Sequence, residues 1–232
     1  ALFGSMMGAR VAVELTLQRP DQVKALLLTA LTLSGPGGTP PPLSDVALAE
    51  DGSHFDVFWR EMSRAKSSIR TPSLTQRNVS DALLAFPDHA WGYDAAIAYS
   101  LEDKLSELTQ PVLVLAYDNP LQETTRRAAT LTPNATFVDM PDWDAGYLDF
   151  RAPELADIVE DFLADKGDGV APAPLTELRL PRAGQVRRAF AHGPYGQLHY
   201  RLAEPLEPSQ TPLTCFHASP QSSVIYGALI GE

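Results

Sequence analysis

Cysteine is almost missing from this chain of 232 residues: Cys215 stands alone, so no internal disulfide can staple the fold, and a reducing compartment suits it. Long apolar runs are missing too. No stretch reaches the length of a membrane span, and the first residues lack the basic start and apolar run of a secretory leader, so a cytoplasmic protein that does not meet a membrane is expected. Basic residues are scarce: 18 Lys and Arg against 29 Asp and Glu give a net charge of −11, which disfavours nucleic acid or an anionic membrane as a partner. Histidine has a gap, with none between His89 and His192. The gap matters because imidazole is the side chain that titrates near neutrality and most often moves a catalytic proton. The Gly and Pro residues of 35–42 are not followed by the Lys-Ser/Thr of a phosphate loop. Asp139, Asp142, Asp144 and Asp149 depart from calcium-loop spacing and read as a solvated acidic loop. No metal and no cofactor is implied.

What is there supports a sizeable core, since 44% of the residues are hydrophobic and the length allows one large domain or two small ones. The organising stretch is Phe3-Gly4-Ser5-Met6-Met7-Gly8-Ala9, followed by a helical pattern over 8–18 that Pro20 ends. Two glycines spaced four apart before a helix fit a sharp strand-to-helix turn whose flanking residues pack against each other and tolerate almost no side chain. Gly4 and Gly8 meet that demand and put Met6 at the apex. A register with Ser5 at the apex would put Phe3 and Met7 in the crowded positions. A thioether has no acidic proton, so Met6 cannot attack a carbonyl as an activated Ser or Cys does.

Residues 23–30, 110–116 and 135–140 are short apolar runs bounded by turn signals, as buried strands of a parallel sheet require. Between the first two, the chain departs through a Gly- and Pro-rich segment into a helical, more polar region with Phe55, Phe58, Trp59 and Met62 on one stripe and Val79, Leu83, Leu84 and Phe86 on another. That region reads as an inserted helical cap, about 39–104. Trp59, Trp91 and Trp143 are candidates to line an apolar pocket beneath it. A helix over 152–163 follows, then linker composition over 164–184. A hairpin over 186–192 and 197–203, a strand over 213–216 and the start of a helix over 222–230 complete the pattern.

Together these motifs resemble the α/β-hydrolase superfamily, in particular small bacterial cytosolic members with a helical cap. The residues that carry the resemblance are Gly4-Ser5-Met6-Met7-Gly8-Ala9 as the nucleophile elbow and Asp51-Gly52-Ser53-His54 opening a cap helix. Residues 112–121 match the acid-bearing strand and loop, and Trp143-Asp144-Ala145-Gly146-Tyr147 the histidine loop. Tyr195-Gly196-Gln197-Leu198-His199-Tyr200 and His217-Ala218-Ser219-Pro220 are similar to the N-terminal hairpin and oxyanion loop of such a fold, which belong at its other end. The resemblance therefore implies the C-terminal two-thirds of a hydrolase domain over 1–163 and the opening of a second unit over 185–232. Either the chain is part of a tandem array, which is favoured, or it is a circular permutant whose tail completes its own head.

In the superfamily the triad runs Ser, Asp or Glu, then His. Here the first position is Met6, the acid position is Asn119 or Asp118, and the histidine position is Ala145. The oxyanion donors would be the backbone N–H groups of Met7 and Ser219, which could meet only if head and tail share one domain. His54 or His89, with Asp51 or Asp94, is a rescue candidate; a satisfied or exposed histidine is the alternative. The resemblance implies an ester or acyl-bond hydrolase that has lost two or three triad groups. The competing expectation is a non-catalytic module that binds a small apolar or ester-like ligand, or supports an adjacent hydrolase domain in the same chain.

Overall fold

The computed structural model describes residues 1–33, 43, 46–64, 71–85, 89–164, 186–194, 196–203, 211–218, 223–227 and 229–230. The chain enters as strand β1 (Leu2–Ser5), turns sharply into helix α1 (Met7–Gln18) and returns as β2 (Leu26–Thr29). Three helices follow: α2 (Ser53–Arg64), α3 (Pro72–Leu84) and α4 (His89–Ala98). A short α5 (Leu101–Leu105), β3 (Val112–Tyr117), α6 (Gln122–Leu131), β4 (Ala135–Met140), α7 (Tyr147–Phe150) and α8 (Ala152–Ala164) complete the larger part. Beyond it lie β5 (Arg187–Gly193), β6 (Gly196–Leu202), β7 (Thr214–Phe216) and a 3₁₀ turn, Ser223–Tyr226, where the sequence pattern predicts an α-helix.

Five strands form one parallel sheet in the order β4-β3-β2-β1-β7, and β5 with β6 forms a separate antiparallel ribbon. Alternation along the central strands fills both faces. Phe3, Leu27, Leu113 and Leu115 point to a layer made with Tyr147, Leu148, Leu155, Val159, Phe162 and Tyr226. Leu2, Leu26, Leu28, Val112 and Val114 point to the other, made with Ala9, Ala12, Val13, Leu101, Leu105 and Ala128. The near-continuous aliphatic runs follow from burial on both faces.

The segment read as the opening of a second unit, 185–232, places β7 in register beside β1, pairing Leu2 with Thr214, Phe3 with Cys215 and Gly4 with Phe216. The N–H of Thr214 donates to Ala1 O at 3.0 Å, and the N-terminal ammonium of Ala1 donates to Pro212 O at 2.9 Å, so the tail is tied to the head of the same molecule. The cap ends earlier than about 104, because Leu101 and Leu105 are fully buried against the sheet. The cap stripes also divide: Phe58, Val79 and Ala82 form a small core of their own, while Phe55, Trp59 and Leu84 face outward. The beginning of the expected cap, and all of the expected linker beyond Ala164, lie outside the described residues.

Candidate functional site

The turn between β1 and α1 has the geometry its glycines imply. Met6 adopts φ 52° and ψ −113°, a conformation that costs a non-glycine residue about 1–3 kcal/mol. It is fixed from both sides, since its N–H donates to Thr29 O at 3.2 Å and its carbonyl accepts from the N–H of Ala9 at 3.2 Å. A Cβ on Gly4 would lie 2.6 Å from Gly8 O and 2.7 Å from Ala9 Cα. A Cβ on Gly8 would lie 2.5 Å from Phe216 O and 2.9 Å from His217 O. Both contacts are with backbone, which cannot swing aside. Met6 is therefore the apex, and Ser5 is a buried strand residue paired with Thr29.

The loops after β3 and β4 meet beside this turn's layer: the N–H of Asp118 donates to Trp143 O at 2.8 Å, joining the acid-position loop to the histidine-position loop. Asn119 is spent on its own turn. Its Nδ2 donates to Tyr117 O at 2.9 Å and its Oδ1 accepts from the N–H of Leu121 at 2.7 Å. Asp118 is exposed at the same turn. Ala145 is an exposed loop residue, and the Asp144 carboxylate beside it accepts from the N–H of Gly146 at 2.9 Å. Met6, Leu121 and Trp143 all pack on the same core layer. Met7 opens α1, where the first N–H groups of a helix have no acceptor within the helix, as the oxyanion role asks. Ser219 lies outside the described residues, although its neighbour His217 reaches the elbow through its backbone and places Nδ1 3.2 Å from Ala218 O.

This core layer holds phenols and a thiol. The rings of Tyr117 and Tyr147 lie 4.7 Å apart, Trp143 stacks at 6.0 Å from Tyr147, and Tyr226 meets Phe3 edge-on at 5.5 Å. Burial pushes Tyr117 up to about 12 and the Cys215 thiol up to about 12, and it raises Tyr147 and Tyr226 well above the ordinary phenol value. Each stays protonated at neutral pH, so none supplies a phenolate or thiolate. The Tyr147 hydroxyl is buried beside Thr29 without a well-aligned hydrogen bond among the described residues.

The cap histidine His54 is buried, its Nδ1 accepts from the N–H of Ala49 at 3.3 Å, and its ring lies 4.4 Å from that of Phe55. Asp51 turns back to accept from the N–H of Ser53. His89 opens α4, and Asp94 is exposed on the same helix. Trp91 is 71% exposed and Trp59 is also outward, so neither lines a pocket beneath the cap. The acidic loop residues have separate partners: Asp139 pairs with Arg126 and Asp149 with Arg77. Among the described residues no group of three or more His, Cys, Asp or Glu could hold a metal ion, and no helix is long and apolar enough to cross a membrane.

A groove of about 380 Å³ runs from Met7 along the outer face of α1, against α4. Val11, Leu15, Ala95 and Ala96 give it apolar walls, and Arg10 and the Glu14–Tyr99 pair give it polar ends. The Tyr99 hydroxyl donates to Glu14 Oε2 at 2.8 Å, and burial together with that carboxylate raises the phenol's pKa. Arg10 is only 6% exposed and donates to Thr32 O at 3.1 Å, with burial lowering its pKa. Val11 is 48% exposed and Leu15 36%, so these two apolar residues of α1 face the groove. The face against the sheet is instead made of Gly8, Ala9, Ala12, Val13 and Thr16, because close approach of helix and sheet selects small residues.

No protein-family model and no curated protein matches this sequence. Solved structures do match. A thermophilic esterase superposes with TM-score 0.58 at 17% identity, over 71% of this chain and 66% of its own. The enol-lactonase from Burkholderia xenovorans LB400 gives 0.55 at 19% identity, over 70% of this chain and 65% of its own. Bromoperoxidase from Bacillus anthracis gives 0.56 at 14% identity, over 70% and 66%. This chain spans about two thirds of the length of each of these structures. With a parallel sheet flanked by helices, a helical insertion after β2 and a strained strand-to-helix turn between close-packed glycines, the chain has the α/β-hydrolase fold.

Proposed function

We propose that this chain is a non-catalytic α/β-hydrolase-fold module of the cytoplasm that holds a small apolar or ester-like ligand without cleaving it. The observation that carries the reading is the apex of the elbow: the strained backbone that presents a nucleophile elsewhere in this fold is kept, and it presents a methionine. A thioether has no proton to give up and cannot form an acyl intermediate that water would release. The replacements at the other two positions agree with it. Ala145 supplies no base, and the amide of Asn119 is committed to its own turn. An acyl transfer here would have no imidazole at the expected position to take the proton.

The groove beside Met7 supports the ligand half of the reading. Its volume suits a small molecule, and its walls are aliphatic with polar groups at the ends. The reading of an atypical hydrolase rescued by His54 has less support, because that imidazole already accepts from Ala49 inside the cap. The test is a pair of measurements with p-nitrophenyl butyrate. Methyl resonances of Val11 and Leu15 should shift on titration while no nitrophenolate is released. Turnover that survives His54→Ala would reject the module reading, and turnover that this substitution abolishes would establish the rescue.

A further inference from the structure

The hairpin of β5 and β6 stands apart from the rest of the molecule in charge, and most of its residues are exposed. Over residues 186–203 there are three arginines and two histidines and no carboxylate, in a chain whose net charge is −11. Cross-strand register decides which of these share a face, since residues directly opposite in an antiparallel pair lie on the same side. Arg188 faces Arg201, Phe190 faces His199 and His192 faces Gln197, so one face carries two of the three arginines, both histidines and an aromatic ring. Phe190 is 58% exposed, with its ring 5.2 Å from that of His199. Leu198, on the opposite face, is 68% exposed.

Two features of this ribbon are unfavourable in isolation. A two-stranded hairpin whose residues are mostly exposed is marginal at best, and like charges directly opposite each other destabilise the pair. Arg188 and Arg201 are such a pair, and Arg201 Nε is buried with no hydrogen-bond partner among the described residues. An anionic surface laid over this face would relieve the repulsion and cover the ring. The same chain carries one. Helix α8 has the sequence APELADIVEDFLA, with no Lys or Arg, and exposes Glu154, Asp157, Glu160 and Asp161. Glu154, Asp157 and Asp161 fall at the spacing of a single helical stripe, of which only Glu154 has an ion-pair partner, Arg151, among the described residues.

We propose that the cationic face of the β5–β6 hairpin docks on the acidic stripe of α8 in a second copy of the chain. The contact made reciprocally gives a two-fold dimer, in which each copy contributes one basic and one acidic patch. Charge complementarity selects this occupant. Nucleic acid would meet the same arginines but also the field of an acidic molecule.

The test is sedimentation equilibrium of the full chain with charge reversal on each side. The wild type should dimerise in dilute buffer, with the dissociation constant rising about tenfold or more on going to high salt as the ion pairs are screened. Arg188→Glu/Arg201→Glu should be monomeric, and so should Asp157→Lys/Asp161→Lys. Mixed in equal amounts the two variants should form a heterodimer, because both contacts then regain opposite charges, and this gain of association cannot come from misfolding. A wild type that stays monomeric in dilute buffer, a dimer indifferent to both reversals, or a mixture that fails to associate would overturn the proposal. Salt-sensitive binding of a single-stranded oligonucleotide by a monomeric wild type would assign the face to nucleic acid instead.

Discussion

Met6, Gly4 and Gly8 form a strained turn that presents a side chain with no acidic proton. The apex remains in a costly conformation because β1, α1 and β7 are packed around it, and releasing the strain would separate all three. Gly8→Ala should therefore destabilise the chain by about 2–4 kcal/mol in urea denaturation, since the new Cβ meets the carbonyls of Phe216 and His217. The same geometry bears on repair. Met6→Ser alone should leave p-nitrophenyl butyrate untouched, because Ala145 offers no imidazole. Met6→Ser/Asn119→Asp/Ala145→His should raise turnover over that single variant by about 10²-fold or more, the contribution of a positioned base. No gain in the folded triple variant would show that the three positions no longer converge.

Among elements, the cap is held to the core by two tethers whose partners are far apart in sequence. Arg77 of α3 donates two hydrogen bonds to the Asp149 carboxylate of α7, at 2.8 and 2.7 Å, and the Asp149 hydrogen bonds raise the pKa of the guanidinium. Tyr99, beyond α4, donates to Glu14 of α1. A double-mutant cycle on Arg77→Ala and Asp149→Ala should give a coupling of about 1 kcal/mol, the range of a bidentate, partly exposed pair, with faster amide exchange confined to α2–α4. Coupling near zero would mean that the cap rests on the core without this tether. These pairings mark the boundary of what the sequence discloses. The elbow is legible because two glycines four apart answer a steric demand that few other arrangements make, and the strands are legible because burial on both faces leaves an aliphatic run. The burial of Arg10 and the outward turn of Val11, Trp59 and Trp91 are not. Which face of a helix is covered depends on neighbours that arrive from elsewhere in the chain.

At the scale of the whole molecule, the tail and head close one sheet, with β7 beside β1. Expecting two separate units followed from the order of motifs along the chain, while their adjacency depends on pairing residues about 200 apart, which no local pattern records. One consequence is a pH dependence. Cys215 on β7, with Tyr117, Tyr147 and Tyr226 around the same layer, has a folded pKa raised above its unfolded value, so the neutral forms are favoured by folding. Their contribution is complete below the unfolded values of 9.0 for the thiol and 10.0 for the phenols, and it is lost as pH climbs from there toward about 12. Urea midpoints should hold steady near neutrality and fall through this alkaline window, and Cys215→Ala should delay the onset of the fall. A midpoint flat to pH 11 would contradict the burial of these groups.

The account stands most directly on the absence of a nucleophile at the elbow, and one measurement reads it: intact-mass analysis of the purified chain after incubation with a fluorophosphonate. The expected spectrum is that of the unmodified protein, with Met6→Ser/Asn119→Asp/Ala145→His gaining one stoichiometric adduct under the same conditions. A single stoichiometric adduct on the wild-type chain would contradict the account, because it would require an activated nucleophile in a site that Met6, Asn119 and Ala145 leave without one.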